Sequence, residues 1–465
     1  MKKRTMFVVL ELYSLILLSS NLHLRDIILK KIESVGRFKS LIWGLKSAVS
    51  VFGKTNNLWV EGEGMLHALH FTKDAQGNWS FYYKKRFVET DTYKMESQKK
   101  KPTFLPKAPE TGELVAVGID TTKPHCVVGV ISADGKELVH KLDLQLDHCS
   151  LFHDIGVTKK YNILIDFMLT MRPERIMKGG QEKDARIAVI PHYGELDSVK
   201  WFNIEPCVTY HLMNTFEDGD EVVVRGCTAN AAIIPGPVWG EDEFDWFSRG
   251  FNFKNVASNN WNDHKTIEDG MLFTSVREWR LNMETLEVKE RDVTGTEYSM
   301  DFPIINEDFT GLKHQYGYAQ VINSLASSKA GNDFAILLQL TTIQNMFQVP
   351  KRAFKSVSGK TKYGGLAKLH FEETEKQSPN NEGNVKMEYH WLPKNNFCTG
   401  SAFVAKPEAV EEEDGWIVTF AHDEDSDTSY VLVVDAKNFG SEPIAKVNLP
   451  QRVPYGYHGS FFSST

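Results

Sequence analysis

The chain has few cysteines and no pattern that pairs them. Its 465 residues contain five, at positions 126, 149, 207, 227 and 398, and none of them forms a CxxC motif. An odd, scattered set indicates reduced thiols and not a disulfide framework. An excess of basic charge is missing too, because the net charge is −8 and the isoelectric point is near 6.0. This charge balance argues against nucleic acid as a partner.

Signatures of several enzyme classes are also absent. The chain has no Gly-x-Ser-x-Gly elbow, so a serine hydrolase has no support. The glycine-rich stretch WVEGEGMLH at 59–67 lacks the Gly-Lys-Ser/Thr ending of a phosphate loop, and a tight turn before a strand is the better interpretation. Cys149 lies four residues before His153, but no helix start or oxyanion loop accompanies it, which disfavours a cysteine nucleophile.

The N-terminal segment combines basic residues with an apolar run that Glu11 interrupts. Lys2, Lys3 and Arg4 precede an apolar run over residues 6–18, in the charge order of a signal peptide. The run is short for a membrane span and is followed by a poor cleavage site, which favours a membrane-surface or buried helix instead. Residues 22–50 have apolar positions at helical spacing. We therefore predict a helical, apolar segment over 1–50, which leaves peripheral membrane contact open.

Residues 51–465 have the pattern of one β domain. Short apolar or alternating runs such as 127–131, 222–225 and 430–434 recur, and Asp-Gly turns such as those at 134–135 and 414–415 separate many of them. Many short strands with this punctuation predict an all-β sandwich, barrel or propeller. No Ser/Gly linker divides the region.

Three histidines stand in unusual contexts. His153 begins HDIGVT, His211 begins HLMN before an acidic turn at 217–220, and His458 follows PYGY near the end of the chain. Imidazole is the commonest protein ligand for divalent transition metals, so three converging rings would form a metal site. A lone histidine is more often a surface or core residue, and His458 alone is equally compatible with a structural turn.

Taken together, these motifs resemble the carotenoid cleavage dioxygenase family, in particular plant members related to the 9-cis-epoxycarotenoid and 9,10-cleaving enzymes. Further matches are EGEGM at 61–65, DFPIINE at 301–307 and the hairpin that contains EEDGW at 412–416. The resemblance extends from about residue 45 to the C-terminus.

The resemblance implies a seven-bladed β-propeller with a helical cap and an axial Fe(II) site. In this chain His153, His211 and His458 would be metal ligands, and Asp301 would be a supporting carboxylate behind them. Ferrous iron accepts imidazole readily and leaves positions open for O2. A non-polar tunnel would guide a polyene, a carotenoid or apocarotenoid, to the iron, where O2 cleaves a double bond into two carbonyl products.

The chain departs from the family at the first of its four histidines. Leu105 stands in that place, just before the PETGEL turn at 109–114. We infer that a segment is missing at about 106/107, at least as long as one propeller blade of about 40–50 residues. A supporting glutamate of the family aligns near Gly400, where this chain has no carboxylate.

The resemblance therefore implies three possibilities for function. The first is an iron dioxygenase of carotenoids or apocarotenoids. The second is an inactive relative that binds a hydrophobic polyene without cleaving it, and the third is the defective product of a skipped exon or incomplete gene model. By resemblance the expected compartment is the plastid, with the cytoplasm as the alternative.

Overall fold

The computed structural model describes residues 41–45, 64–73, 79–87, 113–119, 125–133, 136–150, 152–167, 169–172, 175–179, 185–229, 273–323, 362–371, 384–453 and 455–461. Within these ranges nearly all regular structure is β-strand, which confirms the predicted all-β class. Two short 3-10 helices, Leu196–Ser198 and Glu307–Phe309, are the helical elements that the described residues contain. The helical cap remains a prediction.

Twenty-six strands follow one another in the described ranges. The first half of the described chain contains β1 (Leu41–Leu45), β2 (Gly64–Lys73), β3 (Trp79–Phe87), β4 (Leu114–Ile119), β5 (Cys126–Ile131), β6 (Leu138–Asp143), β7 (Cys149–Ser150), β8 (Gly156–Val157), β9 (Tyr161–Asp166), β10 (Leu169–Arg172), β11 (Arg175–Gly179), β12 (Ala185–Pro191) and β13 (Lys200–Ile204). The second half contains β14 (Val208–Asp218), β15 (Glu221–Ala229), β16 (Thr274–Asn282), β17 (Val288–Asp292), β18 (Met300–Ile304), β19 (Tyr316–Ile322), β20 (Tyr363–His370), β21 (Lys386–Trp391), β22 (Asn396–Ala405), β23 (Gly415–Asp423), β24 (Thr428–Asp435), β25 (Ala445–Asn448) and β26 (Gly456–Ser460).

These strands pair antiparallel in six sheets, most of them simple meanders along the chain. The sheet orders are β26-β1-β2-β3, β4-β5-β6, β11-β10-β7, β13-β12-β9-β8, β14-β15-β16-β17 and β18-β19-β20-β22-β23-β24-β25, with β21 on β20. The last sheet is two meanders joined by a single bridge between Tyr363 and Cys398. Repeated meanders of about four strands are the pattern of propeller blades.

The two ends of the described chain share one sheet. Strand β26 pairs with β1, and β1 pairs with β2. The prediction of a helical segment over 1–50 is wrong for residues 41–45, because this stretch satisfies its backbone groups by pairing with two strands. The rest of that segment, together with Leu105 and the proposed gap at 106/107, lies outside the described residues. No helix among the described residues is long and apolar enough to cross a membrane.

The core consists of clusters between successive sheets, and strand alternation produces them. On β9 and β12, Ile163 and Val189 face one way and pack with Val224 of the next sheet. Their neighbour Leu164 faces the other way, into a cluster with Val128 of an earlier sheet. Because side chains on a strand alternate between faces, a sheet with apolar residues on both faces is buried between two others.

A buried ion pair crosses the sheet that carries His211. Arg225 on β15 donates to Glu278 on β16 at 2.7 Å, and both side chains are 1% exposed. Arg225 also donates to Nε2 of His314 at 3.0 Å, while Nδ1 of His314 donates to the carbonyl of Tyr316 at 3.0 Å. Burial and the charge of Arg225 lower the pKa of His314 to about 3, so this imidazole is neutral in the folded protein.

His314 predicts a pH dependence of stability. In the unfolded chain its pKa is near 6.5, so unfolding takes up a proton between about pH 6.5 and 3 and the free energy of unfolding falls as the pH is lowered. Glutamine can accept from Arg225 and donate to Tyr316 without titrating. We expect His314→Gln to remove about 2 kcal/mol of the loss between pH 6.5 and 4.5, measured by urea unfolding. An unchanged pH dependence in the variant would contradict this assignment.

Candidate functional site

His153, His211 and His458 come together although they belong to distant parts of the sequence. The ring centres of His153 and His211 are 5.1 Å apart, and those of His211 and His458 are 5.0 Å apart. His211 lies on β14, the edge strand of its sheet, and His458 lies on β26. His153 lies in the loop before β8. His211 therefore lies next to each of the other two histidines, and metal ligation by the three rings remains a proposal.

A β-bulge orients the side chains around His211. The register of β14 against β15 shifts between Thr209 and His211, so Tyr210 is an extra residue in the strand. A bulge turns the side chains that it contains away from strict alternation. Both Tyr210 and His211 consequently contact the ring of His153, at ring-centre distances of 5.2 and 5.1 Å.

Asp301 holds His211 from a neighbouring sheet. Nδ1 of His211 is 2.7 Å from Oδ1 of Asp301, and the histidine is buried. A carboxylate accepts the proton of Nδ1, which leaves the lone pair on Nε2, the arrangement that metal-bound histidines commonly have. Asp301 also accepts the backbone N–H of Phe302 at 2.7 Å. Asp301, which the family resemblance implies as a supporting carboxylate, is thus hydrogen-bonded to His211.

The charge of Asp301 also acts on two neighbouring groups. Burial and this charge raise the pKa of Tyr210 to about 12. Burial, with the charge and hydrogen bond of Asp301, raises the pKa of the Cys227 thiol well above its usual range. Both groups are therefore protonated at neutral pH. Cys227 lies opposite His211 in the β14–β15 register.

Phe302 packs against two of the histidines. Its ring centre is 4.5 Å from that of His211 and 4.9 Å from that of His458. Its φ of 54° lies in the left-handed region, where a bulky residue carries backbone strain of about 1–3 kcal/mol. The register shift between Asp301 and Ile304 accommodates this turn. The same strained step therefore places the carboxylate behind His211 and an apolar ring beside it.

The separation of the rings matches that of imidazoles around one ion. With metal–nitrogen bonds of about 2.0–2.1 Å, two bound imidazoles have ring centres about 4.5–5.2 Å apart. The two measured separations fall in this range. Within the described residues, however, no three His, Cys, Asp or Glu side chains already present their ligand atoms as a set that could hold an ion. The donor chemistry and spacing fit a metal, and ligation requires adjustment of the rings.

Asn214 of the HLMN motif has a structural role. Its amide nitrogen donates to the carbonyls of Phe309 and Leu312, and its oxygen accepts from the N–H of Gly311. It therefore holds the turn after the second 3-10 helix against β14. Satisfying three buried backbone groups explains why an amide stands at this position.

The strand that carries His458 lies close to β22 at two glycines. A Cβ on Gly459 would be 2.4 Å from the carbonyl oxygen of Gly400. Gly400 has a φ of +56°, which favours glycine. The position where the family resemblance places a carboxylate is thus beside the His458 strand and has no side chain. The residue before Gly400 also contacts this strand, because Oγ1 of Thr399 accepts the N–H of Gly456 at 2.6 Å.

The other histidines near the motifs lie elsewhere. Nε2 of His140 is 3.1 Å from the carbonyl of Gly194, and Nε2 of His148 is 3.0 Å from the buried Asp166. His67 lies within β2, the strand that includes the end of the glycine-rich stretch. Tyr210, Phe302 and Cys227 were missed by sequence reasoning, since only the bulge and the packing of two sheets bring them to the histidines.

An all-β fold with three neighbouring histidines, one of them buried with a carboxylate behind it, defines a class of candidate metalloproteins. The family model described as retinal pigment epithelial membrane protein matches residues 46–108 and 105–463. The chain belongs to this family, that of the carotenoid oxygenases, which confirms the resemblance in the motifs. The two matched ranges overlap at residues 105–108, which include the position where we infer a missing segment.

Individual relatives agree with this assignment. The carotenoid 9,10(9′,10′)-cleavage dioxygenase 1 of Pisum sativum is 29% identical over 374 residues, which cover 77% of this chain and 57% of the relative. The chloroplastic 9-cis-epoxycarotenoid dioxygenase NCED1 of Oryza sativa is 26% identical over 369 residues, with 76% and 46% covered. The chain thus spans about half the length of these relatives.

A solved structure with the same fold is the lignostilbene dioxygenase of Pseudomonas brassicacearum. It has a TM-score of 0.65 at 17% identity, and the match covers 92% of each chain. At this identity the likeness establishes a shared fold.

The contact between Gly459 and Gly400 predicts a sharp effect of a single methyl group. Because the added Cβ of Gly459→Ala would collide with backbone atoms, we expect a loss of about 1–3 kcal/mol in the free energy of unfolding. Gly440→Ala is the matched control, since no atom lies within 4 Å of its added Cβ. Urea unfolding of the two variants checks this, and equal stabilities would contradict the close approach of β26 to β22.

Proposed function

We propose that the protein is a non-heme iron dioxygenase that cleaves a double bond of a carotenoid or apocarotenoid with O2. The observation that carries the proposal is the meeting of His153, His211 and His458, with Asp301 bonded to His211 at 2.7 Å. Membership of the carotenoid oxygenase family supports it, as do the names of the pea and rice relatives. Iron(II) would supply the site at which O2 is activated.

The residues of this chain would hold the metal and exclude water from it. The three imidazoles supply neutral nitrogen donors, and Asp301 fixes the ring of His211 in the tautomer that ligation requires. The rings of Phe302 and Tyr210 contact the histidines and present apolar surface next to them. An apolar wall with few polar groups suits a polyene. Protonated Tyr210 and Cys227 add no charge to this wall.

The second candidate is a relative that binds a polyene without cleaving it. Two observations favour it: Leu105 stands at the place of the first family histidine, and Gly400 offers no carboxylate beside the His458 strand. Loss of supporting groups commonly reduces metal affinity by about 10–100-fold. The third possibility, a skipped exon or incomplete gene model, is decided by sequencing the transcript across the codons for Pro106 and Lys107.

The compartment and membrane contact are part of the proposal. The rice relative and a carotenoid cleavage dioxygenase 4 of Arabidopsis thaliana are named chloroplastic, which supports the plastid, with the cytoplasm as the alternative. A water-insoluble substrate favours peripheral contact with a membrane that stores it.

The proposed activity predicts that the chain retains iron and forms cleavage products. We expect the full chain, reconstituted anaerobically with Fe(II), to retain about one iron per chain and to convert a detergent-solubilised carotenoid or apocarotenoid into carbonyl products in air. His211→Ala should lose both properties, because it removes the central ligand. Iron content by mass spectrometry and product analysis by liquid chromatography measure this. A folded, iron-free and inert chain would refute the dioxygenase, and polyene binding by such a chain would establish the second candidate.

Asp301 predicts a separate effect on metal affinity. Asp301→Asn keeps the size of the side chain but weakens its hold on the imidazole N–H, so we expect iron affinity to fall about 10–100-fold. Asp292→Asn is the control, because that carboxylate lies on β17 and pairs with Arg277 at the surface. Competition with a chelator of known affinity measures both variants. Equal affinities would contradict the supporting role of Asp301.

A further inference from the structure

The segment that carries His153 lies along the strand that carries His211. We call residues 153–160 the His153 arm. At its far end Oγ1 of Thr158 and the N–H of Lys160 donate to Oε1 of Glu217, at 2.9 and 3.0 Å. In its middle Oγ1 of Thr215 donates to the carbonyl of Val157 at 2.8 Å. The arm is thus fastened to β14 at two points away from the histidines.

The middle of the arm also requires a glycine. A Cβ on Gly156 would lie 2.4 Å from Cγ2 of Thr215, so the backbone of the arm is in close contact with β14. This approach fixes the arm along the strand. It does not by itself fix the end where His153 lies, three residues earlier.

A third attachment of the arm to β14 lies next to the histidines and depends on the carboxylate of Asp154. Oδ2 of Asp154 accepts the backbone N–H of Leu212 at 2.8 Å, and Oδ1 accepts the N–H of Ile155 at 2.8 Å. Among the strands that the structure describes, β14 is an edge strand and no strand pairs with it on that side, so this N–H needs another acceptor. Asp154 supplies it.

The hydrogen bond between Asp154 and Leu212 matters because of where the two residues lie in the sequence. Asp154 directly follows His153, and Leu212 directly follows His211. One side chain therefore links the backbones next to both imidazoles, whose ring centres are 5.1 Å apart. We infer that Asp154 is a positioning residue that sets the spacing of the His153 and His211 rings. Its importance for a metal rests on the proposed function, whereas the spacing itself can be measured without a metal.

Two substitutions separate positioning from general stability. Asp154→Asn preserves size but replaces one acceptor oxygen with an NH2 donor, so either Leu212 or Ile155 loses its partner. Glu217→Gln makes the same chemical change at the far end of the same arm. Both variants remove the negative charge that strengthens these hydrogen bonds to the backbone, and only Asp154→Asn does so beside the histidines.

The test uses the full, metal-free chain with labelled histidine rings. We expect a nuclear Overhauser cross-peak between the rings of His153 and His211 in the unaltered chain and in Glu217→Gln, and its loss in Asp154→Asn. A cross-peak of unchanged intensity in Asp154→Asn would overturn the inference. Its absence from the unaltered chain, or its equal loss in Glu217→Gln, would overturn it as well.

A Co(II) titration followed by visible absorption connects this result to the metal. We expect Asp154→Asn to weaken Co(II) binding about 10–100-fold and to alter the ligand-field bands, while Glu217→Gln leaves both unchanged. Unchanged Co(II) affinity and bands in Asp154→Asn would overturn a role for Asp154 in the metal site. If the cross-peaks behave as expected but the unaltered chain binds no Co(II), the positioning role stands and the proposed metalloenzyme fails.

Discussion

The hydrogen bond between Asp301 and His211 is the interaction on which the candidate site depends. It joins two sheets through residues that are 90 positions apart in the sequence. It also determines which nitrogen of His211 carries the proton. The strained backbone at Phe302 aims this carboxylate and places an aromatic ring against His211 and His458. Strain of this kind persists only where the surrounding packing enforces it, and it is common at functional sites.

Packing throughout the described core comes from sheets that are buried on both faces. Alternating apolar side chains on β9 and β12 join the clusters on either side, so each sheet holds the next in position. Edge strands such as β14 then lie where loops and strands from other sheets can reach them. His211 lies on such an edge, and Asp154 of the His153 arm accepts a backbone N–H of β14 that a neighbouring strand would otherwise cover.

Sequence patterns predicted the strands and the family well, and the site in part. Alternation and Asp-Gly turns predicted the β domain, and the resemblance of the motifs to the family implied His153, His211, His458 and Asp301 as site residues. Residues 41–45 were wrongly predicted as helical, because pairing with β2 and β26 outweighs local periodicity. The bulge at Tyr210, the turn at Phe302 and the thiol of Cys227 depend on register between strands, which a single sequence does not encode locally. Asp154 was visible in its motif, but its bond to Leu212 was not.

The central claim is that three imidazoles of this chain surround one iron ion. X-ray absorption at the iron edge of the anaerobically reconstituted full chain tests it most directly, because outer-shell scattering from imidazole rings is distinct from that of water or carboxylate. The account predicts a signal from about three imidazoles. An iron surrounded only by oxygen atoms would contradict it.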